Sequence, residues 1–333
     1  MAPVAPGLKA FLAGCAKIPG ASPLRAACEG AAGVPPDDEA AARRFVEGAF
    51  DPWMLRASSG AAEGLITGYY EPVLAGSRQR TPRFRHPVYG APADLVAVDL
   101  AGVYPDLKGM RLRGRLEGNR LVPYWTRGEI DGRDPFPAPV LAWVADPVEL
   151  FFLQVQGSGQ IDLGNGTRLR LGYADQNGHP YRSLGRHLVD RGEMRLDQAS
   201  MQGIQAWAAA NPGKLREALA SNPSYVFFRE MPPSEEGPIG TLGTPLSGGY
   251  SIAVDPRSVP LGAPVFLATT FPLSTRPLAR LVAAQDTGGA IRGIVRADFY
   301  WGSGPEAGAQ AGRMRQQGRM WILWPRGEPL RAP

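Results

Sequence analysis

Three aspartates offer the most chemistry in this sequence. Asp255 follows the apolar run of "YSIAVDPRSVPLG", Asp286 that of "RLVAAQDTGGAI" and Asp298 that of "GIVRADFYWG". Between the last two lies a Gly288-Gly289 turn, and Phe299, Tyr300 and Trp301 follow directly. Taken singly, an aspartate at the end of a β-like segment can simply cap a turn, because its carboxylate accepts from nearby backbone amides. Taken together beside glycine-rich turns, the three could be strand ends that converge in one carboxylate cluster. In such a cluster, burial and a like charge raise one pKa and leave the others ionised. A carboxyl raised in this way is a general acid near neutral pH.

Competing chemistries find less support. His86, His179 and His187 are scattered, with no His-Glu-x-x-His and no Cys-x-x-Cys, so no metal site is expected. "GSGPEA" at 302–307 fits Gly-x-Gly-x-x-Ala, but too little chain follows for a dinucleotide-binding βαβ unit. It reads as a strand-to-helix turn, and no cofactor is expected. "DTG" at 286–288 is the aspartic protease signature, yet the second such motif that a shared-proton dyad needs is missing from the chain.

The elements that must position these acids are mostly β. The chain has 333 residues, 44% hydrophobic and 20% charged, with no apolar run of membrane-spanning length. Its 42 glycines and 33 prolines suit short strands and turns. The net charge is +5, and almost all the positive charge is arginine, since the lysines are only Lys9, Lys17, Lys108 and Lys214. Arginine forks suit carboxylates and phosphates. Acids are interspersed and no dense basic run occurs, so nucleic acid is not expected as a partner.

Residues 5 to 50 read as helical, with Asp37 and Asp38 as capping residues before "EAAARRFVEGAF". From "LITGYYEPVL" onwards, short runs such as "HPVYG", "LVAVDL", "NRLVPYW" and "PVLAWV" read as strands. "VELFFLQVQGSGQIDLGNGTRLRLGYADQNGHPY" reads as a further strand series with a hairpin turn at Gly164-Asn165-Gly166. "SLGRHLVDRGEM" and "DQASMQGIQAWAAANPGKLREALASNP" carry helical spacing, broken at Asn211-Pro212. After Tyr225 the chain is β-like again, until a last helix over "PEAGAQAGRMRQQG" and a last strand, "RMWILWP". The order of helices, strands, helices and strands predicts an α+β chain whose middle is inserted into an outer domain.

Two cysteines, Cys15 and Cys28, share the N-terminal segment. "LAGC" at 12–15 resembles a lipobox, but the apolar stretch before it is too short for a signal h-region. The expectation is instead one cysteine on each of two short helices, joined by a disulfide, in an oxidising compartment after removal of a signal peptide.

The runs "YSIAVDPRSVPLGAPVFL" and "AQDTGGAIRGIVRADFYWGSGPEAGAQAGRM" resemble the three-aspartate domain of the membrane-bound lytic transglycosylase A (MltA) family. "GYYEPVL", "VQGSGQIDLGNG", "GYADQNGHPYRSLGRHLVDRGE", "SMQGIQAW" and "NPSYVFF" are similar to that family's other blocks, so the likeness spans roughly residues 65 to 325. It implies a mainly β fold with flanking helices. Residues 1–75 with 226–333 would form a double-psi β-barrel catalytic domain, and 76–225 a smaller inserted β-rich domain, with a glycan groove between them. It implies cleavage of the β-1,4 bond between N-acetylmuramic acid and N-acetylglucosamine in peptidoglycan glycan strands, leaving a 1,6-anhydro end. By motif position Asp298 would be the catalytic acid, with Asp286 and Asp255 as companions. The muramic C6 hydroxyl would serve as nucleophile, so one tuned carboxyl would suffice where ordinary glycoside hydrolysis uses two.

Groove candidates by the same logic are Tyr69, Tyr70, Glu71, Gln154, Gln156, Ser158, Gly159, Thr287, Gly288 and Tyr300. Small polar groups would orient the sugars and aromatics would supply contact area. The resemblance also implies a periplasmic monomer working with cell-wall synthesis or division machinery. The outer-membrane lipid anchor in the family's name finds no support in this sequence. A peptidoglycan-binding module without catalysis is the non-enzymatic alternative, and an aspartic protease the other enzymatic one.

Overall fold

In the computed structural model, residues 3–107, 110–164, 166–234 and 236–330 are described. The N-terminal segment forms α1 (Ala5–Gly14), α2 (Leu24–Ala32) and α3 (Glu39–Ala49). Asp38 caps α3 by accepting from the Ala41 N–H at 2.9 Å, which satisfies one of the amides a helix start leaves free. Cys15, in a 3-10 turn after α1, and Cys28, on α2, form a disulfide with Cα atoms 5.7 Å apart. The strands β1 (Phe50–Met54) and β2 (Gly64–Glu71) follow.

The next part of the chain, Pro72–Pro233, is a compact unit of its own. It contains β3 (Val73–Ser77), β4 (His86–Tyr89), β5 (Val96–Val98), β6 (Leu112–Glu117), β7 (Arg120–Pro123), α4 (Arg127–Asp131), β8 (Val140–Val144) and α5 (Pro147–Gln156). Then come β9 (Gly159–Asp162), β10 (Arg168–Gln176), α6 (Leu184–Asp190), α7 (Met201–Ala210), α8 (Pro212–Ala220) and β11 (Val226–Met231). One sheet runs β11-β10-β9-β3-β8-β4 and a smaller one runs β5-β6-β7. In the β9–β10 hairpin, Gly164 and Gly166 both have positive φ. Asn165 lies outside the described residues.

The expected strand over "VELFFLQVQ" is a helix. Asp146 accepts from the Val148 and Glu149 amides, Pro147 takes the first turn, and Gly157 closes the end at φ 78° by donating to the Leu153 carbonyl. These start and stop residues outweigh the β-leaning composition of the run.

The chain then returns to the unit it began, which comprises Met1–Glu71 and Ser234–Pro333. Here lie β12 (Ser251–Val254), β13 (Pro264–Thr270), β14 (Pro277–Asp286), β15 (Ala297–Ser303), α9 (Gly304–Ala311) and β16 (Arg315–Pro325). The last helix is shorter than expected, because Arg315–Gly318 pair with β2 as strand. The sheet order is β1-β16-β13-β14-β12-β15-β2, and β2 also pairs with β16. Pairing therefore runs from β16 through β13, β14, β12, β15 and β2 back to β16. Inside lies a core of Ile66, Ile252, Val254, Val265, Val282, Ala284, Phe299 and Ile322, each no more than 1% exposed. Among the described residues, no helix is long and apolar enough to cross a membrane.

Candidate active site

Strand register brings two of the three aspartates to one end of this sheet and leaves the third just beyond it. β12 runs parallel to β14, with Ala253 beside Asp286, and antiparallel to β15, with Ala253 beside Asp298. Asp255 follows directly after β12. Asp298 does not end a strand, as "GIVRAD" suggested, but stands near the start of β15, because 287–296 is a loop of turns.

β15 also pairs in parallel with β2, and three cross-strand neighbours line up on one face. Thr67 lies beside Asp298 and donates to its Oδ1 at 2.6 Å. Tyr69 lies beside Tyr300, with ring centroids 5.2 Å apart. Glu71 lies beside Ser303, whose hydroxyl donates to Glu71 Oε2 at 2.6 Å.

Asp298 is half-buried, and burial pushes its carboxyl up to about 6. The Thr67 hydroxyl and the Arg296 charge act the other way, and the Asp286 carboxylate adds a smaller push upward. Burial, more than the like charge, is thus what raises it. Asp286 accepts from the Tyr69 hydroxyl at 3.1 Å on Oδ2, and from the Thr241 amide and hydroxyl, both at 2.9 Å, on Oδ1. Burial and the two carboxylates hold the Tyr69 phenol far above its ordinary pKa, so it stays a donor. Thr287 Oγ1 meets Thr241 Oγ1 at 2.9 Å, and Gly288 accepts from the Ile291 amide in the loop turn.

Asp255 does different work. Its side chain is 1% exposed and is gripped by the Arg257 fork, with Nη2 donating to Oδ2 at 2.7 Å and Nε to Oδ1 at 3.0 Å. Gly293 in the 287–296 loop donates its amide to Oδ2 at 2.9 Å. The Arg257 hydrogen bonds, joined by the Gly293 amide, hold this carboxyl well below the usual carboxylate range. It is a permanent anion that anchors the loop joining Asp286 to Asp298. Among the described residues, no cluster of His, Cys, Asp and Glu could hold a metal ion.

Residues 65–229 match the MltA specific insert domain and 250–324 match the 3D domain. The membrane-bound lytic murein transglycosylase A of Escherichia coli is 34% identical over 281 residues, covering 82% of this chain and 69% of that protein. The chain belongs to the MltA family. Among solved structures, a monoclinic form of MltA from Neisseria gonorrhoeae is 42% identical with TM-score 0.88, covering 99% of this chain and 90% of that one. Escherichia coli MltA with bound chitohexaose is 32% identical with TM-score 0.68, covering 85% and 78%. The family is one of lytic transglycosylases, and the aspartates described above all fall within this chain's 3D domain.

Several residues expected to face a glycan are interior. Tyr70 is 8% exposed and points away from Tyr69, its ring against Gly308 of α9, where even a methyl group would come within 2.8 Å of it. Glu71 and Tyr300 are each 1% exposed. Gln154 lies on the buried face of α5 with Leu150, Phe151 and Leu153, so the helix turns it inward. Gly159 is a packing requirement, since a Cβ there would sit 2.9 Å from the Pro72 carbonyl oxygen as well as 2.3 Å from Leu153 Cδ1. Gln156 and Ser158 are half-buried in the same unit. Of the three aromatics after Asp298, Phe299 and Tyr300 are buried and Trp301 packs on the core, with its Nε1 3.3 Å from Met314 Sδ. Phe299 and Trp301 pack the strand against the core.

The sequence reading missed Thr67, Thr241 and Arg296. Thr67 and Thr241 carry no signal of their own, being single hydroxyls more than 40 residues from the acids they touch. Arg296, two residues before Asp298, was visible but had no assigned task.

Proposed function

We propose that this MltA-family protein cleaves the β-1,4 bond between N-acetylmuramic acid and N-acetylglucosamine in peptidoglycan and leaves a 1,6-anhydro-muramic end. Asp298 acts first as general acid and then as general base. The observation that carries this reading is the Asp298 carboxyl itself, pushed up to about 6 by burial and held by Thr67. A carboxyl titrating there keeps a usable share of its proton near neutral pH and is still basic enough to take one back.

In the first half of the reaction Asp298 gives its proton to the glycosidic oxygen as the bond from C1 breaks. The muramic C6 hydroxyl then closes on C1, and its proton passes to the Asp298 carboxylate. The acid is restored and no water is consumed. The Asp286 carboxylate, oriented by Tyr69 and Thr241, supplies negative charge opposite the cation that develops at C1.

In this reading Met1–Glu71 with Ser234–Pro333 is the catalytic domain, its closed circuit of strands a double-psi β-barrel. Pro72–Pro233 is the inserted domain, with Gln156 and Ser158 as glycan contacts. The Escherichia coli relative has been solved with chitohexaose bound, and a β-1,4-linked amino-sugar strand of that class is the substrate proposed here. The Cys15–Cys28 disulfide suits an oxidising compartment, the periplasm. Mass spectrometry of the products from purified sacculi tests the reaction. Anhydro-muropeptides are expected, and muramic ends carrying a free reducing group would mean that water is the nucleophile.

A further inference from the structure

Thr67 makes two contacts whose directions can be assigned. Arg296 Nη2 lies 2.9 Å from Thr67 Oγ1, and Thr67 Oγ1 lies 2.6 Å from Asp298 Oδ1. An arginine can only donate, so the Thr67 oxygen accepts there. A hydroxyl has a single hydrogen, and Oδ1 is the one acceptor that meets it among the described residues. Oδ1 is therefore an acceptor whether or not Asp298 is protonated. Arg296 is itself fixed, donating through Nη1 to the carbonyls of Leu65, at 3.3 Å, and of Ala297. Its charge polarises the Thr67 hydroxyl and strengthens the bond the hydroxyl gives. The other titratable or charged groups that act on Asp298 are Tyr69 on β2, and Asp286, whose own hydrogen bonds go to Tyr69 and Thr241.

We infer that Thr67, held in place by Arg296, is a positioning residue that keeps the acidic proton of Asp298 on Oδ2 and makes that oxygen the one that delivers it. This rests on Asp298 being the acid. The proton has two oxygens to choose from, and a freely turning carboxyl would present the wrong one much of the time. A fixed donor on Oδ1 removes that choice and holds the plane of the carboxyl. The same donor also favours the ionised form, so its loss has a signature that a mere packing defect lacks.

The test compares Thr67→Val with Thr67→Ser. Valine matches threonine in shape and suits a strand, while serine keeps the hydroxyl. NMR titration of the Asp298 carboxyl carbon, assigned by its absence in Asp298→Asn, reads the contact directly. Turnover of sacculi across pH reads its effect on the reaction. In Thr67→Val the carboxyl titration is expected to move up by about one pH unit, the scale of a hydrogen bond to a charged group. The alkaline limb of the rate profile should move with it, and kcat should fall about tenfold with KM little changed. Thr67→Ser should restore all three. An unmoved titration in Thr67→Val would overturn the inference. A titration that moves beneath an unchanged rate profile would remove Asp298 from the role of acid, and the positioning role with it.

Discussion

Replacing Asp298 by asparagine should stabilise the protein while abolishing its activity, and the stabilisation should depend on pH. An aspartate titrating near 3.8 when unfolded and near 6 when folded makes the folded chain bind the extra proton between those values. Stability from this group is therefore greatest in acid and falls as pH rises through about 6. The whole gap is worth ~3 kcal/mol, most of it the cost of holding an ionised carboxylate away from water.

Asparagine carries no charge at any pH and keeps an oxygen for the Thr67 hydroxyl. Relative to wild type, Asp298→Asn should gain ~3 kcal/mol at about pH 7.5 and little of that at about pH 4. Any fixed difference between an amide and a protonated carboxyl cancels when the two are compared. Urea unfolding of both proteins at both pH values measures the gain, and anhydro-muropeptide release measures the loss. Turnover should drop by about a hundredfold or more, because an amide cannot deliver the proton. A gain equal at the two pH values would refute the raised pKa itself. Near-normal product formation by the variant would refute the mechanism.

Tyr69→Phe keeps the ring against Tyr300 but removes the donor to Asp286, so activity should fall about tenfold and stability by about 1 kcal/mol, as kinetics and urea melts would show. Tyr70→Ala should instead cost about 3 kcal/mol of stability through the void left against α9, with glycan binding by the folded fraction unaltered in a sedimentation assay with sacculi. Asp255→Asn should destabilise at neutral pH by about 2 kcal/mol, since an amide loses the charge-assisted Arg257 contacts. Because the Asp255 pKa is depressed, that stability is present above the ordinary carboxylate range and lost as pH falls, so wild type and variant should converge in acid. Thiol titration of the unfolded, unreduced protein should find no free cysteine, and reduction should cost up to ~3 kcal/mol for a bridge spanning 13 residues.

The sequence was most legible where local chemistry is self-sufficient. Asp38 before an amphipathic run and proline after Asn211 each set their own element, and the helices there form as read. It was least legible where a few flanking residues overrule composition. "VELFFLQVQ" is rich in strand formers, yet Asp146, Pro147 and Gly157 make it α5. The same limit applies to the site. Three aspartates beside glycine-rich turns could be marked as a group, but which face a neighbour shows depends on register. Tyr69 and Tyr70 are adjacent letters, and one meets Asp286 while the other is sealed under a helix. Thr67 and Thr241 become visible only once β2 and the loop before β12 lie against Asp298 and Asp286.

One comparison shows why the charge state of each aspartate lay beyond sequence. Asp255 and Asp298 each have an arginine two residues away, Arg257 after the first and Arg296 before the second. Spacing alone would give both the same partner and the same fate. Arg257 stands in solvent, free to turn back and fork onto Asp255, which becomes a fixed anion. Arg296 is partly buried, and its Nη1 and Nη2 donate to the Leu65 and Ala297 carbonyls and to the Thr67 oxygen. Its charge reaches Asp298 only through Thr67 and at a distance, too weakly to offset burial. A direct fork from Arg296 would pull Asp298 down towards the state of Asp255 and leave no proton to give. The backbone carbonyls of β2 and β15 that occupy Arg296 are thus part of what would let Asp298 serve in the acid role proposed for it.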